Sequence, residues 1–417
     1  MSTGTDADPR TAIEAVWRIE AARVIAGVAR LVGDVGLAEE LAQDALVAAL
    51  EQWPSDGVPR NPGAWLMTTA KRRGIDTIRR QQVLQKHLPA LAGQEQTDDA
   101  EFDAVLEQEP IEDDLLRLIF TACHPVLKPE ARVALTLRML GGLSTDEIAR
   151  AFLVPDATVG QRISRAKKAL ADAKVPFELP TGADRAARLT SVLEVIYLIF
   201  NEGYSATAGD DWMRPALCQE AMRLGRVLAG LMPLEAEVHG LIALLEIQAS
   251  RSAARTGPDG AVVTLLEQDR RRWDRLLIRR GLAALARAEE LGGGTYTLQA
   301  AIAACHARAH TAEETDWSAI AGLYARLAEL APSPIVELNR AVAVSRADGP
   351  AAGLAVLDPL LDEASLKGYH LLPSVRGDLL FRLGRRDEAR AEFERAAGMT
   401  RNEAERALLR TRAAACG

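Results

Sequence analysis

Apolar positions recur every three to four residues through almost the whole chain, the period of helices with one buried face. The sharpest instance is residues 61–80, NPGAWLMTTAKRRGIDTIRR. Asn61 suits a helix N-cap, and Pro62 suits the first helical position, where a missing N–H costs nothing. On a 3.6-residue wheel Leu66, Met67, Ala70, Gly74 and Ile78 form the apolar side. Trp65, Thr68, Thr69, Arg72, Asp76 and Arg79 gather opposite, with Arg80 at that face's edge. Upstream, residues 11–31 predict a helix with Ile13, Val16, Trp17, Ala21, Val24, Val28 and Leu31 inward, broken at Gly33-Asp34. A second helix, roughly 36–52, turns Leu37, Leu41, Ala45, Ala49 and Trp53 inward and carries Glu40, Gln43, Asp44 and Glu51 on its other face.

A second helical domain is predicted from 115 to 170, with Leu115, Leu118, Ile119, Val133, Leu135, Leu137 and Leu140 in its core. Gly141-Gly142 ends a helix, and Ser144-Thr145-Asp146-Glu147 is a capping box, a hydroxyl followed three residues on by a carboxylate. Ile148, Ala149 and Phe152 point inward, Leu153-Val154-Pro155 turns the chain, and Asp156 is placed to cap the next helix. That helix has a buried row of Val159, Ile163, Ala166 and Leu170. Its outward face is Thr158, Gln161, Arg162, Ser164, Arg165 and Lys168. The pattern is a helix-turn-helix whose second helix is shaped for a major groove. Beyond Pro180-Thr181-Gly182 the chain reads as helical to its end, with breaks at 201–211, 256–260, 292–294 and 331–334.

Composition reinforces the pattern. Ala, Leu, Arg and Glu dominate, aromatic residues are only 4%, and strand-like alternation is scarce, so the expected class is all-α. The 417 residues allow two or three domains. The net charge of −8 conceals a local asymmetry. Residues 60–86 hold seven Lys/Arg against one Asp, whereas 94–114 hold ten Asp/Glu and no base. The local basic runs, more than the total, bear on nucleic acid. Four scattered cysteines form no CxxC and fit a reduced compartment. The most apolar run, 192–200, contains Glu194 and is too short to cross a bilayer. A soluble, cytoplasmic chain with no membrane association is expected.

The face around Trp65 carries chemistry of its own: guanidinium groups take phosphates, and an indole stacks on an unpaired base. The alternative is a solvated basic face with Trp65 packed against a neighbouring helix. The acidic face of the preceding helix is either plain solvated surface or a dock for a basic protein helix.

In their order along the chain, GDVGLAEELAQD at 33–44 and NPGAWL…KRRGIDTIRR at 61–80 resemble region 2 of the extracytoplasmic-function (ECF) sigma factors of bacterial RNA polymerase. LSTDEIARAFLVPDATVGQRISRAKKAL at 143–170 resembles region 4 of the same family, although Leu153 stands where the family turn commonly has Gly, which implies a wider turn. The resemblance implies region 2 over 10–86, an acidic linker over 87–112 and region 4 over 113–179. It implies core-polymerase contacts by Asp34, Glu39, Glu40, Gln43 and Asp44. It assigns the −10 element to Asn61, Trp65, Thr69, Arg72, Arg73, Asp76, Arg79 and Arg80. The −35 element falls to Thr158, Gln161, Arg162, Ser164, Arg165 and Lys168. About 25 linker residues at up to ~3.3 Å each reach ~80 Å. A promoter spacing of roughly 17 base pairs at 3.4 Å needs only ~58 Å.

An ordinary member of that family would end near Leu179, and this chain runs more than 230 residues further. Gly377, Leu380, Ala389, Phe393 and Ala396 match the small and large positions of the tetratricopeptide (TPR) pattern, and GPAAGLAVLDPL begins 35 residues before GRRDEARAEFERAA. With NEGY at 201–204 and SPIVELNRAVAV at 333–344, the whole length resembles the ECF subgroup often numbered 42, with a TPR-like domain expected over 185–417. The resemblance implies that this extension matters for activity and that a DGPF-motif (YCII-related) protein is a further partner.

Other chemistry finds little support. His306 and His310 lie at i,i+4 with no third ligand nearby, Cys123-His124 reads as a helix end, and no phosphate loop, HExxH or nucleophile elbow occurs. No catalytic residue, metal or cofactor is expected. Polar groups converging at 201–204 are explained equally by a capping turn or a ligand site. Two rival readings stay open: a helix-turn-helix regulator with a TPR sensor, and a ligand-binding or enzymatic C-terminal half.

Overall fold

A computed structural model describes residues 9–86, 111–152, 154–204, 213–257, 263–400 and 403–417. The chain divides into two compact units, Met1–Leu198 and Ile199–Gly417. Among the described residues all regular elements are helices. The expected all-α class is what the chain adopts.

The first unit opens with α1 (Pro9–Val32), α2 (Val35–Asp56) and α3 (Pro62–Lys86), which pack on one another. Asp34 caps α2 by accepting the Leu37 N–H at 2.9 Å. Asn61 accepts from the Ala64 N–H at 3.1 Å and caps α3 as its sequence predicts. Gly74 lets α3 approach α1 closely, since a Cβ there would sit 3.2 Å from the Leu31 side chain. The next four helices are α4 (Ile111–Ala122), α5 (Pro129–Met139), α6 (Thr145–Phe152) and α7 (Asp156–Asp172). α4 packs against α1, and α5 and α6 both pack against α7.

The helix-turn-helix forms as its sequence specifies, with one shift. The capping box closes in both directions: the Glu147 N–H donates to Ser144 Oγ at 3.1 Å, and the Ser144 N–H donates to Glu147 Oε2 at 2.8 Å. Val159, Ile163, Ala166 and Leu170 are buried along α7. Asp156, however, does not cap α7. The extended backbone of Pro155 (φ −60°, ψ 144°) takes the N-cap position, and Asp156 becomes the first helical residue. Its carboxylate still faces the positive helix end. Leu153, the departure in the turn, and the linker up to residue 110 lie outside the described residues.

α8 (Gly182–Tyr204) begins at the Pro-Thr-Gly boundary, and the division between the two units falls inside it. The predicted break at 201–211 does not begin at 201: Asn201, Glu202, Gly203 and Tyr204 are the last turn of α8, and 205–211 lie outside the described residues. Two contacts hold that turn helical. Glu202 pairs with Arg214, and the Gly203 carbonyl accepts the Arg214 N–H at 2.7 Å. Arg214 immediately precedes α9 (Pro215–Leu231). A Cβ at Gly203 would meet backbone of that helix at 2.7 Å, so only glycine permits the approach.

The second unit is built around α10 (Ala236–Ala249), which is buried along nearly its whole length between α9, α11 (Arg275–Glu290) and α12 (Thr295–Arg308). Glu237 caps α12, accepting the N–H groups of Tyr296 and Thr297 at 2.8 and 3.1 Å. Thereafter each helix packs on its sequence neighbour: α13 (Trp317–Leu330), α14 (Pro334–Ala347), α15 (Pro350–Leu357), α16 (Leu371–Arg382), α17 (Arg386–Met399) and α18 (Glu403–Ala414). The repeat read from sequence is here. Gly349 and Gly384 both turn the chain with positive φ (97° and 79°) just before a helix. Leu380, Ala389, Phe393 and Ala396 are buried in one core, with Phe393 packed on the bare backbone of Gly377.

Candidate nucleic-acid interface

Helices α3 and α7 present the faces that their wheels assign. On α3, Asn61, Arg72, Asp76, Arg79 and Arg80 are exposed, and Trp65, Thr69 and Arg73 are half-buried. Trp65 is not free-standing. It meets the buried Trp53 of α2 edge to face, with ring centroids 5.3 Å apart, which fixes the indole while leaving part of it exposed. Trp65 thus packs on a neighbouring helix, and part of the indole stays exposed beside the basic face. The Thr69 hydroxyl donates to the Trp65 carbonyl and faces back along the helix. On α7, Gln161, Ser164, Arg165 and Lys168 are exposed, and Thr158 and Arg162 are half-buried at the same helix's N-terminal half.

The acidic set on α2 divides in two. The side chains of Glu40 and Asp44 are 70% and 60% exposed. Asp44 pairs with Arg73 of α3 at 3.2 Å, so one residue of the acidic face touches one of the basic face. Asp34 is committed to its cap. Glu39 behaves differently: it is only 4% exposed and faces the helix-turn-helix domain. Its carboxylate accepts from Arg138 Nε of α5 at 2.9 Å and from the ammonium of Lys167 on α7. The Gln43 amide also donates to it. Burial alone would push the Glu39 carboxyl up, but the Lys167 and Arg138 charges and the Gln43 amide outweigh it and hold the pKa below its ordinary value.

Glu39 is thus the centre of a contact between the three-helix module and the helix-turn-helix. Lys167 also lies 3.7 Å from Glu40. Arg18 of α1 pairs with Glu147, the capping-box carboxylate of α6. Arg30 of α1 pairs at 3.4 Å with the buried Asp114 of α4, which Arg117 also holds at 2.8 Å. The wheel left Glu39 off the outward acidic face, the family resemblance assigned it to core-polymerase contacts, and neither anticipated this role. A wheel of α2 alone puts Glu39 beside the apolar row; what that side packs on lies about a hundred residues away.

The rejected sites look different in three dimensions. Burial pushes the Cys123 thiol up to about 12, so at neutral pH it is no nucleophile. His310 lies beyond the C-terminus of α12, off the helix that carries His306. Among the described residues there is no group of three His, Cys, Asp or Glu side chains placed to share a metal, and no helix is long and apolar enough to cross a membrane.

Residues 18–83 match the model of Sigma-70 region 2, residues 117–170 match Sigma-70, region 4, and residues 188–289 match a family of unknown function (DUF6596). An uncharacterized protein of Rhizobium meliloti (strain 1021) is 47% identical over 380 residues, covering 90% of this chain and 89% of the relative. The ECF RNA polymerase sigma factor SigW of Bacillus subtilis (strain 168) is 29% identical over 146 residues, 34% of this chain and 77% of that protein. A crystal structure of yeast Tom70 covers 98% of this chain and 84% of its own at 11% identity with a TM-score of 0.37, too low to establish a shared fold. The chain carries sigma-70 regions 2 and 4 ahead of a C-terminal helical domain, and it belongs to one family with the Rhizobium meliloti protein.

Proposed function

We propose that this protein is an alternative ECF sigma factor of the TPR-fused type. It binds core RNA polymerase through α2, reads the −10 element with α3 and the −35 element with α7, and assists strand opening in the cytoplasm. RNA synthesis itself belongs to the polymerase. The observation that carries the reading is the joint presence, in one unit and in the family's order, of two basic reading faces. One centres on Trp65 and Arg72, the other on Arg162 and Arg165. A free-standing helix-turn-helix regulator would need α6 and α7 alone, and would leave the exposed acids of α2 without a role.

The contact at Glu39 adds a conformational step to this reading. α2 touches both α7 and α3. Packed helix axes lie 8–10 Å apart, so the two reading helices approach within roughly 20 Å. A 17-base-pair spacing needs ~58 Å. Engagement of both promoter elements therefore requires the Glu39 contact to open, and the linker has the reach to allow it. Opening also frees Glu39 itself for the polymerase. The C-terminal domain then acts as regulator or partner site, with a DGPF-motif protein the partner that the family resemblance suggests.

The test is a pull-down of the full chain with purified bacterial core RNA polymerase, followed by transcription from a promoter library. Retention on the core enzyme with new, promoter-specific transcripts is expected. A chain that binds duplex DNA but never core enzyme would instead be a helix-turn-helix regulator.

A further inference from the structure

Outside the sigma regions, the first third of the C-terminal unit gathers cationic and aromatic side chains that promoter recognition does not use. Arg251 and Arg255 follow α10, and Arg270 and Trp273 precede α11. The Asp274 N–H, donating to the Ser250 carbonyl at 2.8 Å, ties the two segments together. Arg255 and Arg270 are 8% and 5% exposed, and Trp273 is 3% exposed. The guanidinium of Arg255 lies 3.6 Å from the Tyr204 ring centroid. That of Arg251 lies 5.8 Å from both the Tyr204 and the Trp273 rings, and that of Arg270 lies 5.2 Å from Trp273.

Charge in this cluster is only partly balanced: Glu313 and Glu314 face Arg270 from beyond ion-pair distance, and Arg251 has no carboxylate beside it among the described residues. Neither Arg251 nor Arg270 has a carboxylate within ion-pair distance among the described residues. Arg251 spends its donors on the Tyr204 hydroxyl and the Gln248 amide oxygen, both neutral. Arg270 spends its own on the carbonyls of His306 and Ala309 and on Thr315 Oγ1, again all neutral. Holding like charges together in a low-dielectric setting is costly unless an anion joins them. The strain shows in the neighbours. Burial, with the charges of Arg251 and Arg270, drives the His306 pKa down to about 4. Burial and Arg251 depress Arg255 to about 10.

The cluster also holds buried polar atoms with nothing to bond. Arg270 Nε, Trp273 Nε1 and His306 Nδ1 have no hydrogen-bond partner among the described residues. Two of these are obligate donors, and an imidazole becomes a third on gaining a proton. Orphaned donors in a positive field are complementary to an acceptor that carries negative charge.

We propose that Arg251, Arg270 and Trp273, with His306 behind them, form a binding site for a small, multiply charged oxyanion, a phosphate ester or a polycarboxylate. The burial of Arg270 and Trp273 excludes a macromolecule, and Arg251 is the half-exposed member of the set. The site makes the C-terminal domain a receptor for a metabolite-sized anion. It does not rest on the promoter reading, since all of its residues belong to the second unit.

The test uses the full chain in an amine buffer at constant ionic strength, titrated with pyrophosphate or citrate against matched sodium chloride. A saturable rise in melting temperature, with 1:1 calorimetric stoichiometry, is expected for at least one probe. The stronger probe identifies the source as phosphate ester or polycarboxylate. Arg251→Gln should weaken that binding at least tenfold. Hydrogen exchange on the wild-type chain gives an independent localisation, with slowed exchange in peptides covering 251–273. No saturable effect from either probe overturns the proposal. So does binding that Arg251→Gln leaves intact, or protection that appears only elsewhere in the chain.

Discussion

Glu39 Oε1 accepts a hydrogen bond from Arg138 Nε at 2.9 Å across 99 positions of sequence, and its other oxygen takes the Lys167 ammonium. A carboxylate and an ammonium in contact are a zero-length cross-link waiting for activation. Carbodiimide treatment of the free protein should join residues 39 and 167, and mass spectrometry of the digest would reveal the linked peptides. Core polymerase or a promoter fragment should suppress the product. A yield unaffected by core enzyme would show that the contact survives docking and is no latch.

Replacing Glu39 tests the energy of the same contact. Glu39→Gln keeps the shape and removes the charge that two cations share. Their side chains are only partly buried, so the cost lies near ~1–3 kcal/mol rather than the ~3–5 kcal/mol of a fully buried broken pair. A difference of that size shifts the closed population by roughly tenfold to a hundredfold. The radius of gyration from small-angle scattering should increase relative to the wild type, and affinity for core polymerase should not fall. A variant with unchanged dimensions would move the closing force to the Arg18–Glu147 and Arg30–Asp114 pairs.

The pH dependence has a definite sign. The Glu39 carboxyl sits below its ordinary pKa in the closed form. Such a group contributes stability that is fully present above the open-form value of about 4.3 and disappears as pH falls through the closed-form value. The stability difference between wild type and Glu39→Gln should therefore be constant from pH 7 to about 5 and should shrink below about 4. Thermal melts of the two proteins across that range check this. A difference that shrank already between pH 7 and 6 would implicate a histidine instead.

Much of this architecture was legible because helix period and capping chemistry are local signals. The α3 wheel, the Ser144–Glu147 box and the buried row of α7 each depend on residues within a few turns. Whatever is decided by distant packing was not legible. Glu39 turned inward because Arg138 and Lys167 approach from another domain, and Trp65 found Trp53 across a helix pair. The 201–204 segment stayed helical because Arg214 reaches back to Glu202. The arginine cluster left one faint trace, the run RRRWDR at 270–275, but nothing local announces that Arg251 lies beside it.

Asp44 offers a test that separates the proposed polymerase interface from the fold. Its side chain is exposed, and its pair with Arg73 is a surface ion pair worth ~0–1 kcal/mol. Asp44→Arg should leave the melting temperature nearly unchanged while abolishing retention on core polymerase. Loss of the fold along with binding would mean that α2 depends on Asp44 structurally.

The proposed −35 helix offers a graded test, because its cations sit at different positions along α7. Arg162 and Arg165 lie nearer the helix N-terminus, the end that helix-turn-helix recognition helices point at base edges, whereas Lys168 lies a turn further on and already has Asp172 within 3.8 Å. Arg162→Ala or Arg165→Ala should cost ~1–3 kcal/mol on the preferred promoter and relax preference at one −35 position. Lys168→Ala should weaken all sequences about equally and reduce the salt slope of binding by about one. The two outcomes are distinguished by measuring affinity on matched and mismatched −35 sequences over a range of salt. Equal losses on every sequence for all three variants would mean that α7 lies along the backbone without reading the groove, and the assignment of the −35 element would have to move to another element of the chain.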